Sequence, residues 1–91
     1  MASVKINIPS YMRSSVNDSK EVKVSGNTVG ECFNDLIAQF PDTKKHLFNK
    51  NGGLYEYIII SVNGESAYPE QLDKKVKKGD ELGVVMIIGG G

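Results

Sequence analysis

Only one stretch of this chain is long and periodic enough to form a full helix, and that limits the folds open to it. Val29, Cys32, Phe33, Leu36, Ile37 and Phe40 recur at helical spacing and put one apolar stripe on one side. Thr28 stands three residues before Glu31, a capping-box spacing in which each side chain satisfies an amide at the helix start. Pro41 stops the helix. The other extended apolar runs are of strand size. In a chain of 91 residues, a single helix and several strands bury their apolar faces as two layers, the α+β solution.

The strands are read from period two. Val4-Lys5-Ile6-Asn7-Ile8 alternates apolar and polar residues and ends at Pro9. Arg13 to Ser19 is polar and reads as a loop, and Lys20 to Val24 alternates again, so the two strands form a hairpin. Ser25-Gly26-Asn27 is turn chemistry ahead of the helix. A short helical piece is expected at Thr43 to Phe48, before Asn51-Gly52-Gly53 breaks the chain. Tyr55 to Val62 is strongly strand-forming and ends at the turn pair Asn63-Gly64. Glu65 to Tyr68 reads as a short edge strand and Glu81 to Ile88 as the last strand, after the Gly79-Asp80 turn. A hairpin, a helix across one face of a mixed four- to five-stranded sheet, and a last strand inserted beside the first make the β-grasp arrangement. A simple meander order is the alternative. Residues 1–88 are expected as the β-grasp domain and 89–91 as a flexible glycine tail.

One helix covers one face only, so the strand residues divide. Ile58, Ile60 and Val62 share a face, as do Leu82, Val84, Met86 and Ile88, and these are the expected core. Tyr57, Ile59, Val85 and Ile87 then fall on the open face, where two neighbouring strands would join them in one patch beside the root of the tail. A contiguous exposed apolar patch marks a docking surface. Lys5 and Asn7, the outward positions of the first strand, are polar and set the contrast.

Little in the chain is equipped for catalysis. His46 lies in a polar stretch with no second histidine or cysteine placed to share a metal, and reads as a surface residue. Cys32 belongs to the buried stripe of the helix, and a lone cysteine forms no internal disulfide. Asp80 and Glu81 are adjacent at a turn and are not a spaced acid–base pair. Gly52-Gly53 lacks the lysine and the helix of a phosphate loop. Eleven basic and eleven acidic side chains cancel, so net charge gives no argument for nucleic acid or anionic lipid. The run Lys74 to Lys78 reads as a solvated face. No stretch approaches the roughly 20 apolar residues of a membrane span. The expectation is a cytoplasmic chain, monomeric when free, with no catalytic groups of its own, no bound cofactor and no metal.

What remains is the end, where an apolar run leads into Gly89, Gly90 and Gly91. A carboxylate is a poor electrophile until activated, for example as an acyl-adenylate. Glycine leaves the carbonyl uncrowded and takes the extended conformations needed to thread a narrow channel. Three such residues reach about 10 Å beyond the folded body.

The Thr28-Val29-Gly30-Glu31 helix start, the Ile60-Ser61-Val62-Asn63-Gly64 turn, the approach Val76 to Leu82 and the terminal Gly90-Gly91 together resemble a ThiS/MoaD-type sulfur carrier of the ubiquitin-like fold. The resemblance spans essentially the whole chain. It implies that an ATP-using, ubiquitin-activating-like enzyme adenylates the Gly91 carboxylate, that a sulfur donor converts it to a thiocarboxylate, and that a biosynthetic enzyme accepts the sulfur. It further implies that Ile59, Val85 and Ile87 dock the partner. Gly89 departs from the pattern as a third glycine. The segment Pro41 to Tyr57 is longer than in compact thiamin carriers and closer to CysO-like carriers and to some molybdopterin-type members. The order of preference for the sulfur's destination is sulfur amino acid synthesis, then molybdopterin, then thiamin. A protein modifier joined through Gly91 and a non-covalent binding module are the alternatives.

Overall fold

The computed structural model describes residues 1–87. Strands β1 (Ala2–Asn7) and β2 (Glu21–Gly26) form an antiparallel hairpin in which Val4 faces Val24 and Ile6 faces Val22. Helix α1 (Val29–Gln39) follows, then a 3₁₀ turn (Pro41–Thr43) and the single-turn helix α2 (Lys44–Leu47). Strands β3 (Ile58–Val62), β4 (Glu65–Ser66) and β5 (Glu81–Met86) complete a five-stranded sheet of order β2-β1-β5-β3-β4. β5 runs parallel to β1 and antiparallel to β3. The last strand therefore lies beside the first. This is the β-grasp order, and the meander alternative is excluded.

The start of α1 is capped as its spacing predicts. Thr28 Oγ1 accepts from the Glu31 N–H at 3.1 Å, and Glu31 Oε1 accepts from the Asn27 N–H at 2.8 Å. The return bond reaches one residue further back than the capping residue itself. Val29, Cys32, Phe33 and Leu36 are buried with Val4, Ile6, Val22, Val24, Ile58, Ile60 and Leu82 in one core. Asp35 and Gln39, from the same helix, bond outward-facing backbone groups of β2. The Ser25 N–H donates to Asp35 Oδ2 at 2.8 Å, and Gln39 Nε2 donates to the Lys23 carbonyl at 3.0 Å. The sheet edge is thereby partly covered.

Three sequence expectations are corrected. The polar stretch expected as a loop over Arg13 to Ser19 instead carries the end of a 3₁₀ helix, Ser10–Val16. Met12 and Val16, four residues apart, are fully buried and draw the segment onto the core. The third strand begins at Ile58 rather than Tyr55. The Tyr55 N–H donates to the Leu47 carbonyl at 3.1 Å and the Tyr55 carbonyl accepts from Ile58, so this residue is held to α2 by a turn. Finally, Met86 is 39% exposed although it shares the core face of β5 with Leu82, which is fully buried. α1 lies chiefly over β2, and the strand rises out of the core as it nears its end. Ile88, assigned to the same face, lies outside the described residues.

Candidate functional site

The open face of the sheet is built by β3, β5 and the residues leading into and out of them. Ile59 stands directly opposite Val85 in the antiparallel register. One step further out, the Ile87 N–H donates to the Tyr57 carbonyl at 2.6 Å. Val85 is 50% exposed, Ile87 47% and Tyr57 44%. Ile59, flanked by its cross-strand partner, is half-buried. The four residues named from period two are thus brought together, on the face opposite the one that buries Ile58 and Ile60. Gly89, Gly90 and Gly91, the expected reactive tail, lie outside the described residues. Ile87 is the last described residue before that run.

Aromatic side chains that sequence reasoning did not single out border this patch. Tyr55 stacks on Tyr57 with ring centroids 5.1 Å apart and planes 13° from parallel. Tyr11 meets His46 edge to face at 5.7 Å. Burial raises the Tyr11 hydroxyl pKa above its usual 10.0, and the nearby Tyr57 phenol adds to the shift. The two-residue spacing of Tyr55 and Tyr57 was a signal available in sequence. Tyr11 had none, because its place depends on the 3₁₀ helix.

The remaining chemistry-bearing side chains hold structure. His46 is half-buried rather than on the open surface, with its Nε2 3.2 Å from Ser15 Oγ. Among the described residues no group of three or more metal-binding side chains converges. Burial, aided by the carboxylates of Glu31, Asp35 and Asp80, pushes the Cys32 thiol up to about 11, so it stays protonated at neutral pH and is a poor nucleophile.

Asp80 is the buried carboxylate, only 5% exposed. It accepts from the Lys77 N–H at 2.9 Å and from Asn63 Nδ2 at 3.0 Å, with Lys77 Nζ at 3.5 Å. These contacts, the Lys77 amide foremost, hold its pKa below the usual 3.8. Asn63 also exchanges bonds with Glu81: its N–H donates to the Glu81 carbonyl at 2.7 Å, and the Glu81 N–H donates to Asn63 Oδ1 at 2.9 Å. This clasp fixes the start of β5 against the end of β3. It thereby sets the register that pairs Ile59 with Val85. No helix among the described residues is long and apolar enough to cross a membrane.

A β-grasp sheet with an apolar open face, leading into a glycine run, is matched over residues 6–91 by the model of the ThiS family. This chain belongs to the ThiS family. Relatives of the ThiS-family chain include the sulfur carrier protein CysO of Mycobacterium tuberculosis, 28% identical over 91 residues that cover 97% of this chain and 98% of the relative. The small archaeal modifier protein 1 of Haloferax volcanii is 34% identical over 71 residues, 77% of this chain and 78% of the relative. Among solved structures, a chain of the Amycolatopsis orientalis BexX/CysO complex superposes with a TM-score of 0.85 at 29% identity, covering 97% of this chain and 99% of that one. The ubiquitin-like β-grasp fold is thus shared over nearly the whole chain with a solved structure at a TM-score of 0.85.

Proposed function

We propose that this ThiS-family chain is a sulfur carrier that serves as a substrate of partner enzymes and performs no catalysis itself. In the first step the Gly91 carboxylate attacks the α-phosphate of ATP on an activating enzyme, forming the acyl-adenylate and releasing pyrophosphate. Hydrosulfide-level sulfur from a donor then displaces AMP, and one carboxylate oxygen leaves with it. The product is a thiocarboxylate, which an accepting enzyme consumes while restoring the carboxylate. The Tyr57, Ile59, Val85 and Ile87 patch docks the activating enzyme, and Gly90 and Gly91 enter its active site.

The observation that carries this reading is the exposed apolar patch at the residues that lead directly into the glycine run. In sequence, Gly91 follows Ile87 of that patch by only four residues. The likeness to CysO supports sulfur amino acid synthesis as the first candidate for the sulfur's destination, ahead of molybdopterin and thiamin. The likeness to a small archaeal modifier protein supports a second reading, conjugation of Gly91 to lysines of target proteins. Both begin from the same adenylate.

Removal of Gly90 and Gly91 tests the common step. The shortened chain is expected to fold like the parent and to give no ATP–pyrophosphate exchange with the cognate activating enzyme. Retained exchange would show that adenylation does not need the glycine end, and no exchange even with the full chain is what a non-covalent binding module requires. With the full chain, ladders of lysine-linked adducts in cell extract would favour the modifier. Their absence alongside sulfur transfer favours the carrier.

A further inference from the structure

A concave surface lies beside Tyr55, next to the open-face patch. The segment that begins at Pro41 and passes through α2 leaves a cleft of about 370 Å³, with Asp42, Lys44, Lys45 and Lys50 around it and Phe48 and Tyr55 lining it. Phe48 and Tyr55 are half-buried and pack against the core. They are also held in place by backbone: Phe48 bridges Leu54, and the Tyr55 N–H bonds the Leu47 carbonyl. The cleft therefore has a fixed apolar lining.

Its charge is one-sided. Three ammonium groups face one carboxylate, in a chain whose net charge is zero. Among the described residues no carboxylate lies within ion-pair distance of Lys44, Lys45 or Lys50. In the other lysine-rich segment Lys74 pairs with Glu70 and Lys77 with Asp80, each at 3.5 Å, while Lys75 and Lys78 have no ion-pair partner among the described residues. Like charges gathered without counter-charges repel one another and raise the local potential, which attracts anionic groups from outside. The cleft is also continuous with the docking patch. Tyr55 stacks on Tyr57, and Tyr57 is hydrogen-bonded to Ile87.

We propose that this cleft receives an acidic segment of a partner protein, with an aromatic side chain of that segment seated on Phe48 and Tyr55 and its carboxylates on Lys44, Lys45 and Lys50. A partner on the open face would span both surfaces. The lysines then supply orientation and encounter rate, and the apolar patch supplies the buried contact. The inference rests on the reading that partner proteins grip this chain, but its test needs no activating enzyme. Its failure would leave the pyrophosphate-exchange result standing.

The test is titration of the ¹⁵N-labelled full chain with a synthetic octapeptide of aspartate and glutamate around one central phenylalanine. Amide shifts are expected to centre on residues 44–55. Binding should weaken about ten-fold in the Lys44→Glu, Lys45→Glu double variant and with a peptide whose phenylalanine is replaced by serine. Lys78→Glu should leave it unchanged. The peptide-side substitution reads the site even if the double variant folds poorly. Shifts spread equally over residues 74–78, or none at the cleft, would overturn the proposal. It would also fall if removing residues 89–91 alone moved the same cleft amides, because the chain's own end would then be the occupant.

Discussion

Gly26 ends β2 directly beneath the first turn of α1, and a Cβ there would stand 2.8 Å from both the Cys32 nitrogen and the Glu31 Cβ. Those atoms belong to a capped helix and cannot yield without moving it. Gly26→Ala is therefore expected to cost about 1–3 kcal/mol, read as a lowered urea midpoint with an unchanged slope. The sequence reads Ser25-Gly26-Asn27 as a turn, whereas β2 continues through Ser25 and Gly26. The helix's close approach to Gly26 is a property of packing that sequence does not show. In sequence Asp80 is only a turn residue, since its partner Asn63 is seventeen positions away. Its folded pKa lies below the ordinary 3.8. The stability it contributes is therefore fully present above that value and is lost as pH falls through the lower folded pKa. Asp80→Asn should lower stability at pH 7 and flatten the acid limb below about pH 4, which denaturation at a series of pH values will show. An unchanged acid limb would mean that Asp80 is not the group responsible.

Among the elements, α1 and β1 were legible because their apolar periods, 3.6 and two, repeat long enough to fix a face. Thr28→Ala removes the oxygen that caps the Glu31 amide and is expected to cost about 1 kcal/mol, again by urea unfolding. The 3₁₀ helix Ser10–Val16 was not legible, because only Met12 and Val16 are buried within it and polar neighbours mask the pair. β5 was legible as to face but not as to depth. Alternation places Met86 with Leu82, yet only the overlying layer decides how far along the strand burial extends. The end of β5 therefore presents apolar side chains on a rigid, paired element rather than on a loop. Ile87→Asp, just past that strand, should change stability by less than about 0.5 kcal/mol. It should nevertheless reduce pyrophosphate exchange by the activating enzyme about ten-fold or more. Wild-type exchange in this variant would place docking elsewhere.

For the molecule as a whole, one helix layer leaves one sheet face without cover, and insertion of β5 between β1 and β3 sets Val85 beside Ile59 on it. The order of elements leaves both the β-grasp and a simple meander open, and the pairing of β5 with β1 decides for the β-grasp. The clasp of Asn63, Asp80 and Glu81 that holds it together was not legible, because it joins two turns distant in sequence. The family match extends to residue 91, and the proposed chemistry falls on the Gly91 carboxylate. The most direct test is the intact mass of the chain after incubation with ATP, the cognate activating enzyme and a sulfide donor. A gain equal to exchanging one oxygen for one sulfur, absent when Gly90 and Gly91 are removed, is the result predicted for a carrier. A mass that stays unchanged while the enzyme is active on ATP would contradict it.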